Sequence, residues 1–317
     1  MSVGDATDAL SLITRARQGE PRAVARLISR VEDGSPDLAS IMAELSGDDG
    51  AAYVLGVTGS PGVGKSTTTS ALVAAFRARD QRVGVIAVDP TSPFSGGALL
   101  GDRIRMQQHS TDSGVFIRSM ASRGHLGGIA AATPQAIRVL EASGFDVVIV
   151  ETVGVGQSEV EVAGTADTTV VLLAPGMGDG IQAAKAGILE VGDILCVNKA
   201  DRDGADATVR EVRHMLSLGS TPYGWQVPVV TSVASRGEVG DLVAALDDRR
   251  TWLGEGDHLR DRRRQRAESE ILALATGRVR RRLAEQLPRS LANDVAAGRI
   301  DPYSAAEQLL ADDRMAP

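Results

Sequence analysis

Apolar positions recur along this chain with two periods, and the switching between them outlines a fold. Short runs at 53–58, 82–88, 146–150, 168–173, 194–197 and 227–231 hold few or no polar residues at their centres. Runs without polar alternation read as strands covered on both faces, the habit of parallel sheets. Helical spacing fills the gaps. In 67–79, Leu72, Val73 and Phe76 share one face. Thr133 and Pro134 read as a cap and a first-turn proline of a helix reaching about Ser143, closed by Gly144. Another helix is expected from Ile181, carrying Lys185. The fold class is α/β, with a mostly parallel central sheet and helices on both faces.

Both ends of the chain read as helical extensions. At 1–50, Ala9, Leu10, Ile13 and Ala16 make one apolar stripe. Val24, Leu27, Ile28 and Val31 make a second, and Leu38, Ile41, Met42 and Leu45 a third. Gly19-Glu20-Pro21 and Gly34-Ser35-Pro36 separate them. In the tail, Ile271, Leu272, Ala275, Val279, Leu283 and Leu287 recur at helical spacing, and a last helix is entered at Asp301-Pro302. The division is therefore a helical extension at 1–50, a central domain at 51–250 and a helical arm at 251–317. The arm is either a solvated helix or a surface that packs on a second subunit. Residues 91–128 are rich in Gly and Ser and weak in periodicity, which reads as a long functional loop.

Composition narrows this picture. Hydrophobic residues make up 43% of the chain and aromatic residues only 3%, so the core is built from Val, Leu, Ile and Ala. Net charge is −7, which argues against nucleic acid as the main partner. The interleaved Asp257, Asp261, Glu268 and Glu270 weaken a nucleic-acid or membrane reading of the basic run at 260–266. No apolar run is long enough to cross a bilayer, and no membrane association is expected. Cys196 is the only cysteine and lies in an apolar run, which suits a core residue in a reducing cytoplasm. Lysine occurs only at 65, 185 and 199, among 34 basic residues.

Two of those lysines fall in motifs. Gly59-Ser60-Pro61-Gly62-Val63-Gly64-Lys65-Ser66 fits the phosphate-loop template, between a strand and the helix opened by Thr67. Its glycines let successive N–H groups turn towards an anion, and the helix adds the positive end of its dipole. Lys65 would reach the β- and γ-phosphates and Ser66 would ligate Mg²⁺. A dinucleotide fingerprint fails, because Lys65-Ser66-Thr67 stands where a third small apolar residue is needed. Asp89, at a strand end, is either a turn residue or a contact to Mg²⁺ or water. Asp102 is a second candidate near the metal. Arg103, Arg105, Arg118 and Arg123 could be solvated, touch a partner or touch phosphate. His109 and His125 lack metal-ligand spacing and receive no role. Glu151 ends a strand with Gly154 three residues on, so the acid would orient Mg²⁺ and the glycine amide would sense the γ-phosphate. Aspartate is usual there, and glutamate changes the reach. Gln157 is a candidate for positioning water. Asn198-Lys199-Ala200-Asp201 has the form of a guanine reader: the carboxylate accepts from N1–H and the 2-amino group, which adenine cannot match. Asn198 would meet N7 and the Lys199 stem would cover the base. Backbone amides of Ser232, Val233 and Ala234 would face guanine O6. Together these predict a P-loop NTPase fold, with GTP or GDP and Mg²⁺ as the expected ligands.

Asp89-Pro90-Thr91-Ser92-Pro93, Gly101-Asp102-Arg103-Ile104-Arg105-Met106, Glu151-Thr152-Val153-Gly154-Val155-Gly156-Gln157-Ser158-Glu159, Gly178-Asp179-Gly180-Ile181-Gln182 and Asn198-Lys199-Ala200-Asp201 resemble the methylmalonyl-CoA mutase-associated GTPases of the MeaB/ArgK type. The resemblance covers roughly residues 50–250 in motif detail. It implies a homodimeric, slowly hydrolysing GTPase that gates adenosylcobalamin delivery to methylmalonyl-CoA mutase and protects that enzyme. It also implies that Lys65, Ser66, Asp89, Asp102 and Glu151 surround phosphate and Mg²⁺, and that Asp201, Ser232, Val233 and Ala234 form the base pocket. Two alternatives remain at this point. A kinase or ATPase linked to lysine/arginine/ornithine transport would prefer ATP. A metal-insertion GTPase would carry Cys and His ligands near its switch segments.

Overall fold

A computed structural model describes residues 3–46, 52–89, 106–109, 111–121, 132–152, 162, 164–176, 191–218 and 224–315. The chain forms two compact units, Met1–Arg262 and Arg263–Pro317. The first holds a seven-stranded sheet of β1 (Tyr53–Gly59), β2 (Val83–Asp89), β3 (Val115–Ala121), β4 (Val147–Thr152), β5 (Thr168–Leu173), β6 (Ile194–Asn198) and β7 (Val229–Ser232). Their order is β3-β2-β4-β1-β5-β6-β7 and every pairing is parallel. The expected strands are all present. β3 was not expected, and it lies inside the stretch read as one long loop. Its residues are mostly only half-buried, as suits an edge strand, so it lacks the continuous apolar run of its neighbours.

Alternate residues of the strands serve opposite faces. Val54, Ile86, Val148 and Val150 meet α1 (Val3–Arg17), α2 (Pro21–Glu32), α3 (Leu38–Leu45) and α5 (Thr133–Ala142). Leu55, Val85, Ile149, Leu172 and Cys196 meet α4 (Lys65–Arg77) and α7 (Gly240–Gly254) on the other face. α6 (Ala205–Leu218) covers Val171, Leu173, Leu195 and Val197 through Val209 and Val212. The first three helices are thus part of the core. Leu12 is fully buried and Leu10 is exposed, so the first stripe is turned from its expected setting. Thr133 is the first helical residue and Ala132 the N-cap, so the threonine does not cap. Arg118 on β3 donates to Glu32 and to Ser29 Oγ of α2, which fastens the N-terminal helices to the edge strand.

The second unit continues α8 (His258–Gln286) and holds α9 (Arg289–Ala296) and α10 (Pro302–Met315). Asp301 caps α10, accepting from the Tyr303 and Ser304 amides at 2.9 and 3.0 Å. Ile271, Leu272 and Leu274 of α8 are exposed.

Sequence reasoning missed a charged cluster at the N-terminal edge of the sheet. The Asp193 carboxylate precedes β6 and is buried. It accepts from Arg249 at 2.7 Å, from Arg262 at 2.8 and 3.2 Å, and from the Thr169 amide at 2.8 Å. Arg249 also lies over Trp252 and Trp225, 4.3 and 4.8 Å from the ring centroids. Burial lowers the Arg249 pKa, opposed by Asp193. Arg262 of the basic run is therefore a structural cation. Removing Asp193 would leave Arg249 buried without its carboxylate. Asp193→Ala is expected to lower unfolding stability by about 3–5 kcal/mol, measured in urea. A loss of under about 1 kcal/mol, the range of a surface pair, would contradict this account of the cluster.

Candidate functional site

Because all strands are parallel, Gly59, Asp89, Thr152, Asn198 and Ser232 end at one edge of the sheet. β1 lies between β4 and β5, where the chain changes its direction of winding, and ligands settle in such crevices. The loop after β1 is folded tightly there. Gly59 has φ 141° and Gly64 has φ 99°. A Cβ on Gly59 would stand 2.3 Å from the Leu172 carbonyl oxygen, and one on Gly64 would stand 2.4 Å from Asn198 Nδ2. Both positions need glycine for conformation and for space. Gly64→Ala is expected to lower GTP affinity by roughly 100-fold or more, as two kinds of strain of about 1–3 kcal/mol each fall on the cradle. Equilibrium binding of a fluorescent GTP analogue reads this, and unchanged affinity would contradict it.

Gly64 is also the N-cap of α4, with no side-chain cap bond. The positive end of that helix therefore faces the loop. Lys65 Nζ donates to the Gly59 carbonyl at 2.7 Å and the Ser60 carbonyl at 3.2 Å, so its ammonium is held at the cradle. Ser66 Oγ donates to Glu151 Oε1 at 2.7 Å. Asp89, at the end of β2, is buried. β2 pairs with β4 and sets Ala87 beside Glu151 and Val88 beside Thr152, so both acids belong to adjacent strand ends. A hydroxyl beside a carboxylate is a hard-oxygen donor set. It fits Mg²⁺, which takes one or two carboxylates and draws the remaining ligands from phosphate and water. Among the described residues no three His, Cys, Asp or Glu side chains gather in one place.

The base end is joined to the phosphate end by hydrogen bonds. Asn198 Nδ2 donates to the Val63 carbonyl at 2.8 Å, and its Oδ1 accepts from Ser232 Oγ and the Ala234 amide, both at 3.1 Å. Lys199 Nζ donates to the Gly62 carbonyl at 2.6 Å. Lys199 holds φ 58°, a left-handed setting that lays its stem towards the loop. Asp201 ion-pairs with Arg236 at 3.1 Å. Val233 precedes a 3₁₀ turn at Ala234–Arg236. The structure thus unites Gly59, Lys65, Ser66 and Glu151, and separately unites Val63, Asn198, Ser232 and Ala234, with Asn198 as the strut. That bracing role was not read from sequence, where Asn198 was assigned only to the base. Cys196 Sγ lies 3.2 Å from Ser232 Oγ, and burial pushes its thiol up to about 12, which fits a core residue. Asp102, Gly154 and Gln157 lie outside the described residues.

Residues 24–287 match the family described as methylmalonyl Co-A mutase-associated GTPase MeaB. This chain belongs to that family. The GTPase is 47% identical over 307 residues to a Pyrococcus abyssi protein that carries a GTPase name, covering 94% of this chain and 95% of that one. It is 38% identical over 275 residues to the GTPase ArgK of Escherichia coli, covering 84% of this chain and 82% of ArgK. Its fold matches the crystal structure of a LAO/AO transport system kinase with a TM-score of 0.72 and 27% identity, over 99% of each chain. The family is a P-loop GTPase family, so the chemistry is hydrolysis of GTP to GDP and phosphate.

Proposed function

We propose that this GTPase uses its nucleotide state to gate adenosylcobalamin delivery to methylmalonyl-CoA mutase and to protect that enzyme. The observation that supports the partner is the family match, whose description names the mutase. The local geometry supports the nucleotide half. Lys65 contacts the β- and γ-phosphates, and the loop amides cradle them. Ser66, Asp89 and Glu151 are the residues that would hold Mg²⁺, with Asp102 as a further acid. Bound there, the ion would offset charge on the phosphates. Gly154 and Gln157 are assigned to the γ-phosphate and the attacking water. Asp201 reads guanine, with Ser232, Val233 and Ala234 closing its pocket. In this reading hydrolysis is slow, because the bound state is the signal. The exposed Ile271, Leu272 and Leu274 support an arm that pairs with a second copy, giving a homodimer. The setting is cytoplasmic, without nucleic acid or membrane as partners. No described helix is long and apolar enough to cross a membrane.

The test is retention of purified mutase on the immobilised GTPase. Retention that differs between a non-hydrolysable GTP analogue and GDP is expected. Absence of retention with both would contradict the proposal. The name of the solved relative, a LAO/AO transport system kinase, favours one other reading, a transport-linked kinase. That reading requires tighter ATP than GTP binding and phosphate transfer to an acceptor.

A further inference from the structure

We propose that Gln108 and His109 are positioning residues for the Ser66 end of α4, and so for hydrolysis. Ser66 and Ser70 lie four residues apart on α4, one turn from each other on the same side. Ser66 Oγ donates to Glu151 at 2.7 Å. The other hydroxyl is held from outside the helix. Gln108 Nε2 donates to Ser70 Oγ. His109 Nε2 lies 3.0 Å from Ser70 Oγ and 3.1 Å from the Ser70 carbonyl oxygen. A carbonyl only accepts, so the Ser70 carbonyl contact assigns the proton to Nε2, shared with Ser70 Oγ; Gln108 Nε2, 3.2 Å from that ring nitrogen, then donates to Ser70 Oγ and not to the ring.

The stretch that carries these two residues is fixed along the length of α4. Met106 is buried in the same core cluster as Leu72 and Val73. Further down, Arg77 Nε and Nη2 donate to Asp112 at 2.8 and 3.0 Å, and the Gly114 amide donates to Asp112 at 2.8 Å. Arg77 is the last residue of α4. The helix is therefore held near its middle by His109 and at its end by Asp112, while its N-cap glycine supplies no side-chain bond. The clamp on Ser70 restrains the helix one turn below Ser66. It fixes the rotation and rise of the first turn, and with them the reach of Lys65 and Ser66. Small displacements of this kind fall on rate more than on binding.

This inference rests on the phosphate and metal reading of Lys65 and Ser66. Its test is GTP hydrolysis by the full chain, titrated with Mg²⁺, in wild type, His109→Ala, His109→Gln and Gln108→Ala. In His109→Ala, kcat is expected to fall roughly five-fold, the size of one neutral hydrogen bond, with KM for GTP within about two-fold. The Mg²⁺ concentration for half-maximal rate should rise with it. His109→Gln, whose amide nitrogen donates at a similar reach, should restore most of the rate. Wild-type kcat and Mg²⁺ requirement in His109→Ala would overturn the proposal. Equal losses in His109→Ala and His109→Gln would also overturn it, since restoring a donor at that position would then restore nothing. Should His109→Ala fail to fold, Gln108→Ala decides: it replaces an exposed residue, and an unchanged rate and Mg²⁺ midpoint would overturn the proposal. Ser66→Ala with a wild-type Mg²⁺ requirement would instead overturn the reading of Ser66, and this inference with it.

Discussion

Lys65→Ala is expected to lower the rate of GTP hydrolysis by roughly 10²–10³-fold, the usual effect of removing one preorganised donor from developing charge. GTP binding should weaken by about 10–100-fold as well, through loss of a charge-assisted contact to phosphate. The geometry explains why no neighbour substitutes. The Lys65 ammonium is already gathered onto the Gly59 and Ser60 carbonyls, at the mouth of the cradle. Lys199, the other motif lysine among the described residues, is committed to the Gly62 carbonyl. Lys65→Arg should fail to rescue, because a planar fork cannot replace a compact ammonium inside a loop this tight. Single-turnover hydrolysis and titration with a fluorescent GTP analogue measure both effects. Wild-type binding and rate in Lys65→Ala would remove the phosphate loop from the account.

Asp201→Asn is the second large effect. The carboxylate proposed to accept from guanine N1–H and the 2-amino group becomes an amide that would present a donor to a donor. GTP affinity should fall roughly 100–1,000-fold, as two charge-assisted bonds are lost or reversed. Xanthosine triphosphate carries a carbonyl where guanine carries the amino group, and it should bind the variant better than GTP does. The present partner of Asp201 does not complicate the result. Arg236 is 59% exposed, so losing that ion pair costs little stability. The variant should therefore unfold close to the wild-type urea midpoint while its base preference changes. Competition between GTP, ATP and xanthosine triphosphate reads the outcome. Unchanged preference for GTP would place base recognition elsewhere.

The sequence showed most of the fold because burial on both faces leaves a continuous apolar run. β1, β2, β4, β5, β6 and β7 all carry such a run, and each was legible. β3 was not, because Arg118 and Ser119 interrupt its apolar run and five of its seven positions stay part-exposed. Leu10 and Leu12 show a second limit. Both fit an amphipathic stripe, and only packing against α2 and α3 decides that Leu12 faces in. The candidate site motifs stand out in the sequence because phosphate, metal and guanine would each demand particular residue types at fixed spacing. The bracing around them does not. Asn198, Gln108 and His109 act on carbonyls and hydroxyls far away in the chain, from Val63 to Ser70, and no local spacing records that. The Asp193 cluster was hidden for the same reason, since its partners arrive from three distant elements.

The most direct measurement is a crystal structure of the full chain with Mg²⁺ and a non-hydrolysable GTP analogue. The account predicts one nucleotide with its phosphates against the Gly59–Ser66 cradle and its guanine edge on Asp201, the two ends bridged by Asn198. A nucleotide bound away from either end, or a base that leaves Asp201 uncontacted, would contradict it.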